Sequence, residues 1–238
     1  MAVNLSHQDA GLPEMKETSR FQAAYDRYGW RAFTILLYRI LFQWPRFRSR
    51  LIRLKLKILL GSKIGTGVNF GKNFSISIPG GLLEIGEQTY LNDRCIMVIS
   101  ANPPAKVRIG VNCYIANDVL FCASKEISIG NNVLIAEFSS LRDSSHNYKD
   151  ASRNINEQGD TPGRIVIEDD VWIGQGCILL GSPETLSIGR GAIIGANSVV
   201  KDSIPDYAIA AGSPAKVIKY RKESESLPGA ALSSIESF

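Results

Sequence analysis

The stretch Ile-Gly-Asn-Asn-Val-Leu-Ile-Ala-Glu-Phe-Ser-Ser-Leu-Arg-Asp-Ser-Ser-His, residues 129–146, places an aliphatic residue at every sixth position: Ile129, Ile135 and Leu141. Six is neither a helical period nor strand alternation. The spacing continues outward as Ile64, Phe70, Ile76, then Ile85, Leu91, Met97, then Ile109, Ile115, Phe121. Beyond a break it resumes as Ile167, Ile173, Leu179 and Ile188, Ile194, Val200. The second residue of the hexad is Gly, Ala, Ser or Cys in twelve of eighteen cases, an independent sign that the register is real. Three hexads fit one triangular coil of three short strands, with the aliphatic residues pointing inward and stacking on their equivalents in the next coil. The small second residue is expected to permit the tight corner. The fifth residue also points inward with little room, at Val68, Thr89, Cys95, Cys113, Val119, Val133, Val171, Cys177 and Ala192.

Three of the four cysteines (Cys95, Cys113, Cys177) therefore read as small apolar fillers rather than nucleophiles. The fourth is Cys122, no C-x-x-C pair occurs, and the only histidines are His7 and His146. That inventory argues against a zinc site, and no metal is expected. The chain of 238 residues is 45% hydrophobic and 21% charged, values of a globular chain with a real core. It has no run of 18 uncharged apolar residues and no basic start followed by an apolar stretch. The expected compartment is the cytoplasm, without disulfides.

Charge is segregated. From Arg27 to Leu83 lie eleven of the 27 Lys and Arg and none of the 23 Asp and Glu, which points to a basic surface facing something anionic. Residues 21–60 do not follow the hexad. Phe21–Trp30 and Ala32–Trp44 read as helix ended by Pro45, and residues 46–60 alternate basic and apolar side chains. Two readings stand side by side: peripheral contact with an anionic membrane, and a helical cap over the open end of the coils. The expected organisation is a disordered tail 1–20, a basic amphipathic helical segment 21–60, a coil domain 61–221 with an irregular loop 147–163, and a disordered tail 222–238.

The hexads resemble those of the hexapeptide-repeat acyltransferases, such as the galactoside, maltose and polysaccharide O-acetyltransferases. The likeness covers roughly 64–220 and is strongest from Ile129 to Lys219. It implies a mainly β fold, a left-handed parallel β-helix, here preceded by the helical basic segment. It also implies acetyl-CoA as co-substrate and a homotrimer with sites between subunits. Leu141-Arg142-Asp143-Ser144-Ser145-His146 looks like the family segment bearing the catalytic histidine, which would make His146 the base that deprotonates an acceptor hydroxyl. Asp143 could orient its ring, or could be a solvated loop carboxylate. Asn117 matches a family asparagine of the acceptor pocket, or merely caps its turn. The loop 147–163 would lie over the acceptor, with Lys149, Arg153 and Asn156 in reach of it.

The carrier site is marked by Val171-Trp172-Ile173-Gly174, similar to the segment whose tryptophan packs on pantetheine, and by Ile194-Gly195-Ala196, similar to the stretch lining the same arm. Lys201 follows at a position often aliphatic or polar in relatives. Gly212-Ser213-Pro214-Ala215-Lys216 resembles the closing G-x-P-A-K turn, and Lys216 and Lys219 match positions that meet nucleotide phosphates. The reading is acetyl-CoA-dependent O-acetylation of a saccharide in cell-surface polysaccharide synthesis, in the cytoplasm or peripherally at the inner face of the membrane, with no nucleic-acid partner. The rivals are N-acetylation of an amino sugar nucleotide, serine as acceptor, and a noncatalytic β-helix scaffold. A carbonic anhydrase on the same fold would need three histidine ligands, which the chain lacks.

Overall fold

Each hexad folds as a strand of two to four residues followed by a corner, and six coils of three such strands stack in parallel. The computed structural model describes residues 47–58, 61–77, 81–101 and 103–221. The expected tails 1–20 and 222–238, and residues 21–46 and 59–60 of the expected helical segment, lie outside the described residues.

Three parallel sheets result, and the sixfold spacing is visible in their registers. In the first, Ile64, Ile85, Ile109, Ile129, Ile167 and Ile188 are successive partners. In the second the ladder is Phe70, Leu91, Ile115, Ile135, Ile173, Ile194 and Ala210. In the third it is Ile76, Met97, Phe121, Leu141, Leu179 and Val200. Nearly all of these side chains are buried, each stabilising the fold by roughly 1.5–3 kcal/mol. The nine fifth-position residues named above are buried as expected. An extra inward layer, Leu83, Val107, Ile127, Ile165 and Leu186, comes from the longer strands of the first sheet.

The corners correct one expectation. The left-handed backbone that makes the turn sits at the fourth hexad residue, as at Asn112 (φ 55°), Asp118 (59°), Asn132 (57°), Asp170 (60°) and Asn197 (58°). Asn and Asp tolerate that conformation better than most residues. The second residue is small for another reason: a Cβ on Gly86 would lie 2.5 Å from the carbonyl carbon of Gly110, and one on Gly110 would lie 2.4 Å from the oxygen of Gly130. Close approach of the next coil, not the turn, selects glycine there.

The outer faces differ. The first sheet carries an ion ladder: Lys63–Glu84 (2.8 Å), Glu84–Arg108 (3.0 Å), Arg108–Glu126 (2.5 Å) and Glu126–Arg164 (3.4 Å). The second shows Tyr90, Tyr114, Leu134 and Trp172, and the third Ile96, Val98 and Ile178, all exposed.

Residues 47–58 form a helix whose Leu56 joins the core and whose Ile52 packs against it. The Ser49 hydroxyl accepts the Phe70 amide (3.0 Å) and reaches its carbonyl (3.3 Å), fixing the helix to the first coil. Residues 47–58 thus lie over the first coil. At the other end, Ala208–Gly212 pairs in parallel with Ile193–Ile194, and Ala215–Tyr220 folds back antiparallel on it. No described helix is long and apolar enough to cross a membrane.

Candidate active site

Among the described residues the coils have one long interruption, after the fourth. Leaving the third-sheet strand Ser140–Arg142, the chain runs out as Ser144–His146 and returns antiparallel as Asp160–Pro162, pairing Ser144 with Pro162, Ser145 with Thr161 and His146 with Asp160. The expected irregular loop 147–163 thus contains a strand, and its tip is shorter. The tip is internally bonded: the Asn147 amide group donates to the Gln158 carbonyl (3.1 Å), and Gln158 Nε2 donates to the Asp150 carbonyl (2.8 Å). Lys149, Arg153 and Asn156 are exposed on it.

The hairpin base is rigidly held. The Gly163 amide donates to the Asp143 carbonyl (2.5 Å), and a Cβ on Gly163 would lie 1.7 Å from the Gly181 oxygen. The Ser182 hydroxyl donates to the Thr161 carbonyl (2.6 Å) and lies 3.1 Å from that of Ser145.

Asp143 does not orient the histidine. It is fully buried, and its carboxylate accepts the backbone amides of Ser124 (2.6 Å), Lys125 (2.8 Å) and Glu126 (2.7 Å). A short carboxylate at the hairpin base points back to the preceding coil, and three backbone amides of that corner bind both of its oxygens. The partner of His146 is Asp160, which sequence reasoning missed: its carboxylate meets Nδ1 of the ring. With the carboxylate against Nδ1, Nε2 lies on the other side of the ring. The His146 side chain is 76% exposed, so that nitrogen is open to an incoming hydroxyl.

The remaining candidates fall on two ridges of the triangular prism. Asn117, Gly174 and Ala196 lie at the corner after the second sheet, with Trp172 just before it and 51% exposed. Asn117 Oδ1 accepts the Asp93 amide (3.0 Å), so part of that side chain caps the neighbouring coil. Gly174 and Ala196 stack on adjacent coils, and a Cβ on Gly174 would meet the Ala196 nitrogen at 2.7 Å. His146, Asp160 and Lys201 belong to the corner after the third sheet. Its strands of two to four residues separate the two ridges by roughly 10 Å. Lys216 and Lys219 are exposed on the terminal hairpin, and Lys216 reaches Asp202 (3.1 Å).

The cysteines have no part in this arrangement. The thiols of Cys95, Cys113 and Cys177 sit beside the carbonyls of Ala116 (3.1 Å), Gly130 (3.1 Å) and Gly195 (3.2 Å). Burial pushes the Cys95 thiol up to about 11 and raises those of Cys113, Cys122 and Cys177, the opposite of what a thiolate nucleophile needs. Among the described residues no cluster of three His, Cys, Asp or Glu side chains could hold a metal. An open groove lined by Lys57, Ser62, Lys63 and Glu84 lies at the first coil, away from the histidine.

No family model matches the chain. It is 35% identical over 141 residues to Rv3034c of Mycobacterium tuberculosis, named as an acetyltransferase; the match covers 59% of this chain but only 45% of that protein. It is 30% identical over 201 residues to WbbJ of Escherichia coli, named for O-acetyl transfer in lipopolysaccharide biosynthesis, covering 81% of this chain and 90% of WbbJ. Among solved structures, a variant of AntD, an N-acyltransferase from Bacillus cereus in complex with dTDP-4-amino-4,6-dideoxyglucose and coenzyme A, superimposes with a TM-score of 0.60 at 26% identity, over 73% of this chain and 89% of AntD. With nine-tenths of WbbJ matched and six stacked hexad coils, the chain belongs to the hexapeptide-repeat acyltransferase family.

Proposed function

We propose that the protein transfers an acetyl group from acetyl-CoA to a hydroxyl of a saccharide, with His146 as general base. The observation that carries this reading is the His146–Asp160 pair, mounted on a rigid hairpin with Nε2 open. Nε2 takes the acceptor proton as the hydroxyl oxygen attacks the thioester carbonyl. The tetrahedral intermediate collapses, the C–S bond breaks, and the imidazolium returns the proton to the thiolate. Asp160 holds the ring and stabilises the charge that forms on it. A base so placed contributes roughly 10²–10⁴ in rate.

Trp172, Gly174, Ala196 and Lys201 are the proposed lining for pantetheine, with Lys216 and Lys219 toward the nucleotide phosphates. Because His146 and the Asn117–Trp172 ridge sit at different corners of one chain, a cleft using both is completed by a second copy. The apolar outer faces of the second and third sheets support a homotrimer, since the first face is charged and suited to water. Likeness to WbbJ supports an acceptor in cell-surface polysaccharide synthesis, and the basic segment supports peripheral contact at the inner face of the membrane.

Likeness to AntD favours a second reading, N-acylation of an amino sugar nucleotide. Thiol release from acetyl-CoA, followed across neutral saccharides and amino sugar nucleotides, separates the two. A product that hydroxylamine deacetylates is an ester and supports O-transfer. A resistant amide product would replace it with N-transfer, and no thiol release with any acceptor would remove both.

A further inference from the structure

Helix 47–58 carries two apolar stripes, and only one is used by the fold. At about 100° per residue, Ile52 and Leu56 share the face that closes the first coil. Leu51, Leu54 and Ile58 fall on roughly the opposite face and are 50%, 54% and 69% exposed. A helix that served only as a cap would need the first stripe and carry polar residues in place of the second. Cations flank the second stripe on both sides: Lys55 on one, Arg50 and Lys57 on the other, with Arg53 beyond them. None of these four forms an ion pair among the described residues. The sequence holds no Asp or Glu from residue 27 to residue 83, so the helix itself carries only cations, and the nearby Glu84 is engaged by Lys63 and Arg108.

We propose that this stripe docks the protein on an anionic lipid surface: Leu51, Leu54 and Ile58 enter the acyl boundary while Arg50, Arg53, Lys55 and Lys57 meet headgroup phosphates. The proposal rests on the peripheral reading above and is independent of the acetyl-transfer chemistry. Three aliphatic side chains make a shallow, reversible contact, so the charges decide which lipid is chosen. The same charges make binding fall with added salt.

The test is flotation of the full chain with vesicles of phosphatidylcholine alone and with vesicles in which phosphatidylglycerol replaces part of it. The chain floats with the second and not the first, and high salt releases it. Substituting Leu51→Ser, Leu54→Ser and Ile58→Ser together lowers flotation by at least about tenfold, and Arg50→Glu with Lys57→Glu does the same. Both variants keep the wild-type melting temperature and wild-type thiol release with a water-soluble acceptor. Equal flotation with both vesicle types, or undiminished flotation of either variant, overturns the proposal. So does a triple variant that loses oligomer mass in solution while flotation is unchanged, which would assign the stripe to a second copy. Normal flotation with no thiol release would leave the docking surface intact and contradict only the enzymatic reading.

Discussion

His146 and Asp160 face each other across the antiparallel pair Ser144–His146 and Asp160–Pro162, with Nδ1 of the imidazole against the carboxylate. The register of a hairpin, and not proximity in sequence, makes this dyad. One edge of the ring faces the carboxylate and the other is left for the general-base role proposed above.

Asp160→Asn keeps the shape of the partner and removes its charge. The expected result is a fall in turnover of roughly 10- to 100-fold, a part of what the base itself supplies, with folding unchanged. Steady-state kinetics of Asp160→Asn beside Asp160→Glu checks it: the acidic variant should recover part of kcat, and a merely structural role would not discriminate by charge.

Asp143 works on the fold. Removing its carboxylate in Asp143→Ala strands three backbone amides of the preceding coil, which should cost on the order of 3 kcal/mol in denaturant unfolding. Gly163→Ala should be at least as harmful, since the added methyl would meet the Gly181 oxygen at the hairpin base. A stable, fully active Gly163→Ala protein would show that the hairpin is not anchored as described.

Sites shared between copies can be tested by mixing. His146→Ala and Trp172→Ala subunits, each inactive alone, should regain about a quarter of wild-type turnover after denaturation and refolding together, the chance that a random pair presents both intact ridges. Mixtures as inactive as their parents would place the whole site within one chain.

The ion ladder makes stability depend on pH. The hydrogen bond from Lys63 leads in holding the Glu84 carboxyl below its ordinary value, with Arg108 adding to it. Its contribution is therefore present above the carboxyl's unfolded pKa, near 4.3, and is lost as pH falls through the lower folded value. Glu84→Gln should lower the melting temperature at pH 7 and make little difference at pH below the folded value. An equal effect at both pH values would mean that packing, not charge, is at stake.

The coils were legible in the sequence because each inward position repeats at a fixed spacing and each is buried. The inward layer of Leu83, Val107, Ile127, Ile165 and Leu186 was not, because it falls in the variable spacers between eighteen-residue units. Glycines such as Gly86 and Gly110 were recognised as required, but the reason, contact with the next coil, needs three dimensions. His146 stood out as the histidine at the edge of the interruption. Asp160 did not, although a hairpin closed by residues 143 and 163 places residue 160 opposite residue 146. Asp143 drew attention by being near in sequence. A carboxylate three residues away along an extended strand points elsewhere, and three amides of the coil below claim it.

Transfer by His146 is tested most directly by measuring acetyl transfer and acetyl-CoA binding on the same preparation of His146→Ala. The expected result is turnover reduced by at least about 10²-fold with acetyl-CoA binding unchanged and wild-type melting. Turnover close to wild type in that variant would contradict the account.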